Sequence, residues 1–357
     1  MEDKNFVISL EDHYLCPKIW ETLSPDFKNK YDMLKNSLFD IGEDRIKQMD
    51  AAGIDFQVLS HAEPGVKLAK NTKEAIELAK EANNYLYNAI KAFPERFGGF
   101  AVLPVQSPED AAMELERAVL KLGFKGAMID GHTNGIYLDD ESFSVLLRKA
   151  EELDVPIYIH PTDPPKEISK DYFEGNDVLL TGFAWQVETS LHIIKMVNKG
   201  IFDKHQKLKV IIGHMGEFIP YGFSRLNTAL TVGNWILKQE NMPKMNLHYY
   251  FKNNIFITSS GVFDVPVFEC AKEMIGIDNM MFSVDYPFKN SVEATDFLNK
   301  ISLTNNEKQL FAGKNASDLL KINSNSKCKK DNTKSFKVSR IRLKSRVGKY
   351  LISKLIK

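Results

Sequence analysis

The sequence predicts a (β/α)₈ barrel of the TIM type spanning residues 1–322, followed by a basic tail at 323–357. Three observations lead there. Eight short apolar runs alternate with longer helical patterns. The runs are rich in Val, Ile and Phe, as expected of parallel strands covered on both faces. Polar residues at the run ends are spread along the whole chain, whereas an open doubly wound sheet would gather them at one switch point. Eight units are also the number that closes a barrel, and 357 residues are enough for one such domain.

In order, the predicted strands are 6–10, 55–60, 98–105, 125–130, 156–160, 208–213, 254–259 and 279–284. Helical patterns follow near 43–52, 72–93, 108–122, 139–153, 182–199, 217–238, 264–275 and 290–299, with another near 305–320. Asp40 to Glu43 form a cap region for the first of these helices. Ser107-Pro108 followed by Glu109 and Asp110 marks the start of the third, with proline and acids in its first turn. No G-x-G-x-x-G or G-x-x-x-x-G-K-[ST] loop occurs, so a nucleotide site has no support.

Composition is that of an ordinary globular protein, 43 % hydrophobic and 26 % charged. The opening MEDKNF is polar and acidic, so a secretory signal is not expected, and no apolar run is long enough to span a bilayer. Cys16, Cys270 and Cys328 are far apart and form no C-x-x-C pair, which fits a reducing cytoplasm. The zero net charge conceals an asymmetry. From Asn323 onward there are twelve basic residues against one acid, Asp331, so the tail carries +11 and the body −11. The tail begins with a polar, linker-like stretch and ends with basic and aliphatic residues interleaved, a pattern suited to a solvated extension or to contact with an anionic surface. No nucleic-acid partner is expected.

In a barrel enzyme the chemistry lies at the C-terminal strand ends. Five of the eight histidines fall there: His13, His61, His132, His160 and His214. Alternation along the first strand puts Val7, Ser9, Glu11 and His13 on one face, toward the barrel mouth, and Ile8 and Leu10 on the other, toward the helices. A carboxylate and an imidazole two residues apart on one face can grip a divalent ion. His160 ends the fifth strand before Pro161. Asp285 follows an apolar run and needs a cation, a donor or a proton if buried. His214 and Glu217, three apart at a helix start, can share one helical face. Each residue alone has an ordinary structural explanation; their joint occurrence at strand ends points to a site.

Glu11-x-His13, His160-Pro161, Gly213-His214-Met215-Gly216-Glu217 and Ser283-Val284-Asp285-Tyr286-Pro287 together resemble the amidohydrolase-related decarboxylases. The branch most resembled is that of the 2,3-dihydroxybenzoate, γ-resorcylate and 5-carboxyvanillate decarboxylases, over about residues 6–322. The segment from Gly182 to Thr189 and Asn315-Ala316 are similar to this branch as well. The resemblance implies a barrel of the metal-dependent hydrolase kind with one divalent ion on Glu11, His13, His160 and Asp285. Mn²⁺ is favoured over Zn²⁺. Many hydrolytic relatives begin H-x-H, and Glu11 in the first position favours decarboxylation.

The implied reaction is non-oxidative decarboxylation of a hydroxylated aromatic acid of the dihydroxybenzoate type to a phenol and CO₂. The metal would hold the carboxylate and an ortho phenolic oxygen. Asp285, His214 and Glu217 form the catalytic group, with Asp285 as proton donor by family precedent. A metal beside Asp285 works against a stored proton, so the substrate hydroxyl is an alternative source. Arg225 matches an arginine near the site and either contacts substrate or orients Glu11. Phe183, His61 and His132 are candidates for lining the substrate pocket, and the segment 162–181 for a lid. Subunit association into a dimer or tetramer is expected from the family. The alternatives are a metal-dependent hydrolase of a lactone, ester or amide of an aromatic acid, and a binding protein that retains the barrel without the chemistry.

Overall fold

A computed structural model describes residues 5–173, 177–237 and 242–323. Its eight strands are β1 Ile8–Tyr14, β2 Phe56–His61, β3 Phe97–Gly99, β4 Ala127–Asp130, β5 Ile157–His160, β6 Val210–Ile212, β7 Ile255–Thr258 and β8 Met280–Met281. All adjacent pairs are parallel, in two runs, β1-β2-β3 and β4-β5-β6-β7-β8. Single bridges join the runs: Ala101 to Ala127 between β3 and β4, and Asp12 to Tyr286 between β8 and β1. The strand order is therefore cyclic, and the predicted barrel is the observed fold. The tail lies, beyond Asn323, outside the described residues.

The long helices follow the sequence patterns closely. Glu43–Ala52 and Pro108–Leu122 have the expected bounds, Thr72–Ala92 and Val265–Ile275 differ by a residue at one end, and Ser291–Lys300 by one at each end. Pro17–Thr22, Pro25–Tyr31, Lys35–Phe39, Lys166–Phe173 and Leu247–Asn253 are additional helices of eight residues or fewer. Two turns or fewer give a 3.6-residue period too little length to register.

Apolar side chains divide into two layers. Ile8, Leu10, Phe56, Val58, Phe100 and Met128 belong to the cluster that fills the barrel, with Tyr158, Ile211 and Met281. Ala316 and Leu320 of the closing helix Asn315–Leu320, and Ile322 just after it, join that cluster and seal the end opposite the site. The larger cluster lies between strands and helices and takes the alternate strand residues, such as Leu59, Ile157, Ile159, Val210 and Ile212.

This arrangement corrects the expected facing of β1. Ile8 and Leu10 point into the barrel, not toward the helices. Ser9 pairs with Gln57 and Asp12 with Leu59, so three steps along β1 match two along β2. That extra residue is a β-bulge, and a one-residue slip exchanges the two faces of a strand. Below the bulge β1 is apolar-in; above it, Glu11 and His13 face the mouth. A strict alternation of period two cannot place Leu10 and Glu11 on the same side, and the bulge does.

Candidate metal centre

Strands β1 and β8 build the centre first. Backbone hydrogen bonds from Asp285 N to Glu11 O (2.8 Å) and from His13 N to Tyr286 O (2.6 Å) fix the two chains side by side. Ser283 Oγ accepts from Glu11 N (2.8 Å) and Leu10 N (3.2 Å), which satisfies the amides freed at the bulge. Glu11 is fully buried. Its Oε2 accepts from the Tyr158 hydroxyl, which also meets Thr258 Oγ1 (2.7 Å), itself 2.6 Å from Ser260 Oγ. A β carbon on Gly213 would stand 2.4 Å from Glu11 Oε2 and 3.2 Å from the Tyr158 hydroxyl, so only glycine leaves room for this carboxylate. Glu11 Oε1 remains without a hydrogen-bond partner and faces the mouth.

Three imidazoles surround that oxygen. His160 Nε2 is 3.5 Å away, His214 Nε2 3.8 Å and His13 Nε2 4.0 Å. His13 Nε2 also lies 3.3 Å from Asp285 Oδ1 and has no hydrogen-bond partner of its own. Each ring is oriented from behind through Nδ1: His13 by Ser60 Oγ (3.2 Å), His160 by Asp130 Oδ1 (3.3 Å) and His214 by Glu217 Oε1 (2.9 Å). This is the arrangement that fixes a ring so its Nε2 can serve as a ligand.

His214 and Glu217 meet, but not on a helical face as the spacing suggested. His214–Gly216 is a 3₁₀ turn with Met215 in the left-handed region, and Glu217 has φ 58°. The following helix begins only at Ile219. Asp285 has φ 74°. Non-glycine residues held at positive φ at a site are strain maintained by the surrounding fold.

The cluster balances its buried charges internally. Burial disfavours a charged His160, yet Asp130 and Glu11 outweigh it and raise its pKa to about 9. Burial likewise opposes charge on His214, and the carboxylates of Glu217 and Glu11 hold its pKa well above the ordinary value. For Asp285, burial favours the neutral acid, but His13 and His214 pull its pKa below the usual carboxylate range. Protons on imidazoles thus serve as the counterions of buried carboxylates, and a metal cation would replace those on the rings that ligate it.

The donor set fits one divalent ion. Around an ion with ligands about 2.1 Å away, neighbouring donors stand roughly 3.0–3.4 Å apart. The contacts of 3.3 Å between His13 Nε2 and Asp285 Oδ1 and 3.5 Å between His160 Nε2 and Glu11 Oε1 match this spacing. Two overlapping triads, Glu11-His13-His160 and Glu11-His214-Asp285, each hold their ligand atoms within 4.8 Å. Glu11 is common to both. His214 contributes only Nε2, since Glu217 holds its other nitrogen.

A cavity of about 600 Å³ opens above the cluster and includes His13, His160, His214, Glu217 and Asp285 in its lining. Aromatic walls come from Phe288, 5.5 Å from His13, from Tyr31, 6.0 Å from Phe288, and from Trp185, 6.1 Å from His160. Leu180 and Thr181, at the end of the segment expected to be a lid, also line it, with Gly182 just beyond. This size and apolar lining suit a small aromatic ligand.

Four sequence-derived candidates do not line this cavity. His61 accepts from Cys16 N (3.0 Å) and its Nδ1 meets Ala62 O (2.7 Å); burial lowers its pKa to about 4, so it is a neutral backbone clamp. His132 accepts from Gly135 N (3.0 Å) and meets Asp163 O (3.1 Å), so it holds the loop whose Asp163 does line the cavity. Phe183 is 52 % exposed and packs against Phe218. Arg225 is exposed on the helix Ile219–Leu237. Sequence reasoning missed Tyr158, Asp130, Ser60, Ser283 and Gly213, which support the ligands. Gly213 and Ser283 stand inside the motifs that carry the resemblance, though without an assigned role, and Tyr158 is a polar residue inside an apolar strand.

The family model described as Amidohydrolase matches residues 31–322. The γ-resorcylate decarboxylase of Polaromonas sp. is 35 % identical over 331 residues, covering 89 % of this chain and 99 % of that one. Decarboxylase orsB of Emericella nidulans is 33 % identical over 336 residues, covering 88 % and 97 %. A crystal structure of 5-carboxyvanillate decarboxylase from Novosphingobium aromaticivorans, with manganese and 4-hydroxy-3-methoxy-5-nitrobenzoic acid, superposes with a TM-score of 0.82 at 31 % identity, covering 90 % and 97 %.

Two outcomes follow from the geometry. Gly213→Ala keeps an ordinary φ but drives Glu11 from its seat. Its Mn²⁺ affinity should fall by roughly 10- to 100-fold, the scale of ligand-support losses, with the circular dichroism of the fold retained; calorimetric titration measures this. Mn²⁺ affinity of the native protein should rise with pH toward about 9 and level off above it, since the ion must displace the His160 proton. A flat pH profile would show that His160 is not a ligand.

Proposed function

The chain belongs to the amidohydrolase family, and from that premise we propose that its buried centre is the active site of a carboxy-lyase. The reaction is metal-dependent, non-oxidative decarboxylation of a hydroxylated aromatic carboxylic acid to a phenol and CO₂. The observation that carries this reading is a pair of overlapping donor triads, Glu11-His13-His160 and Glu11-His214-Asp285, at the floor of an aromatic-walled cavity; Glu11, His13, His160 and Asp285 are the proposed ligands. Mn²⁺ is the proposed ion. Oxygen-rich donor sets suit it, and manganese is bound in the similar 5-carboxyvanillate decarboxylase.

An ion held by Glu11, His13, His160 and Asp285 would supply positive charge that orients the substrate acid and stabilises negative charge developing on it. The chain's residues do the rest. Tyr158 holds Glu11 by Oε2 and leaves Oε1 for the ion. Phe288, Tyr31 and Trp185 position the ring. Asp285, as a ligand of the cation, is ionised and so stores no proton at rest. His214, with Glu217 behind it, holds the proton at Nε2, 3.9 Å from Asp285 Oδ2. The proton passes by way of Asp285 to the ring carbon bearing the carboxylate. The carbon–carboxylate bond then breaks, its electron pair returns to the ring, and CO₂ leaves. This relay gives Asp285 the delivering role without requiring it to store the proton beside a cation.

We further propose a homo-oligomer and a cytoplasmic setting. Phe183, Leu191, Tyr221 and Ile236 are exposed apolar residues, and Phe183 packs on Phe218, apolar surface that a second subunit would bury; Arg225 belongs to the same helix as Tyr221. Cys16 and Cys270 are free thiols, and no described helix is long and apolar enough to cross a membrane.

A panel of 2,3- and 2,6-dihydroxybenzoate, 5-carboxyvanillate and aromatic lactones, offered to the Mn²⁺-loaded protein, tests the reaction class. CO₂ with an equimolar phenol is expected from at least one acid; turnover of lactones alone would replace this reading with hydrolysis. Glu217→Gln should retain the metal and lose roughly 10- to 100-fold in kcat. Unchanged kcat would remove His214 and Glu217 from the proton path.

A further inference from the structure

The helix Trp185–Asn198 runs from the cavity wall into the core, and a closed circuit of hydrogen bonds returns to it. The circuit starts at Trp185, whose Nε1 donates to Asp163 Oδ1 (2.7 Å). Both residues line the cavity. The backbone oxygen of Asp163 meets His132 Nε2 (3.1 Å), and His132 Nδ1 accepts from Gly135 N (3.0 Å). Three residues on in the loop after β4, Leu138 N donates to His192 Nε2 (3.0 Å), back on the helix. Trp185 and His192 stand about two turns apart on one helical face, roughly 10 Å along the axis.

These contacts fix the tautomer of both rings. A carbonyl only accepts, so His132 carries its proton on Nε2 and offers the Nδ1 lone pair to Gly135. His192 leaves Nε2 bare for Leu138, so its proton is on Nδ1, which has no partner. Burial, with Lys195, His132 and Lys67 adding to it, lowers the pKa of His192 to about 3, so the ring stays a neutral acceptor. The Tyr137 ring lies between the two imidazoles, 5.6 Å from His132 and 5.1 Å from His192, and its hydroxyl hydrogen-bonds Glu188 of the same helix. His132 and His192 are buried, whereas Trp185 is half-buried and Asp163 exposed. A hydrogen bond in contact with water contributes little by itself; tied at both ends to buried rings, it keeps one geometry. An imidazole with one nitrogen unsatisfied is a costly core residue, so its use at position 192 lies in the acceptor it presents to Leu138.

We infer that His192, acting with His132, is a positioning residue for the cavity wall. Through the loop 131–138 it holds Asp163 and Trp185 in the arrangement that sets the Trp185 ring 6.1 Å from His160. For the ligand, an aromatic acid whose ring lies against Trp185, this rests on the decarboxylase reading. Loss of the acceptor at position 192 leaves Glu11, His13, His160 and Asp285 untouched and releases the wall.

The test is a double-mutant cycle on the Mn²⁺-loaded protein. The probe is 2-nitroresorcinol, a mimic of 2,6-dihydroxybenzoate with no carboxylate to lose, titrated calorimetrically. His192→Leu should weaken its binding roughly fivefold, the scale of one hydrogen bond, and leave the Mn²⁺ Kd unchanged. His192→Gln, which keeps an acceptor for Leu138 N, should restore most of the affinity. In a Trp185→Phe background, His192→Leu should have no further effect. Equal weakening in both backgrounds, or Mn²⁺ affinity lost in step with the probe, would mark a general structural role and overturn the assignment. His132→Leu repeats the cycle at the other ring if His192→Leu folds poorly. Acrylamide quenching provides a readout without ligand. The part of the emission that Trp185→Phe removes should be quenched more readily in His192→Leu, and unchanged quenching would count against the assignment. Readier quenching in that variant, from a native protein that binds no 2-nitroresorcinol, would sink the decarboxylase reading and leave the role of His192 standing.

Discussion

Glu11 and Asp285 place two carboxylates beside each other in the mouth of the barrel, in a setting too dry to solvate them. Burying one ionised carboxylate without a partner costs several kcal/mol, and two together repel. The surrounding structure answers that constraint. Ser283 and the bulge in β1 aim Glu11 inward, Tyr158 takes one of its oxygens, and Gly213 yields the space. Three imidazoles face the remaining oxygen, each steered by a polar group behind it. Without a metal these rings draw protons; with one they become ligands or neighbours of a single cation. The fold is thus arranged around a charge it does not itself provide.

The same constraint connects structure to chemistry. Asp285 sits in a left-handed backbone conformation with its carboxylate between His13 and His214. That position allows it to touch both the ion and a proton-bearing ring, which a relaxed strand end would not do. The proton is kept one residue back, on the His214-Glu217 pair, where a nearby cation disfavours it less. Aromatic walls then exclude water from the reacting carbon and hold the ring over the floor.

Much of this was legible in the sequence because it depends on local period and on residue type. Eight apolar runs with intervening helical patterns yielded the barrel, and histidines and acids at strand ends marked its catalytic end. The facing of β1 was not legible, because a bulge is defined by what the partner strand does: Ile8 and Leu10 turn inward although Glu11 and His13 do too. His61 and His132 were read as pocket residues, yet their ring nitrogens are taken by backbone groups of Cys16, Ala62, Gly135 and Asp163, partners set by tertiary folding. Tyr158 and Ser283 looked like strand residues and act as supports of the centre.

The central claim is that one divalent ion binds between Glu11, His13, His160 and Asp285. Anomalous diffraction at the manganese edge, from crystals of the Mn²⁺-reconstituted protein, tests it directly. The account predicts one peak per chain within bonding distance of Glu11 Oε1, His13 Nε2, His160 Nε2 and Asp285 Oδ1. A peak elsewhere in the barrel, or none at this cluster with the ion bound in solution, would contradict it.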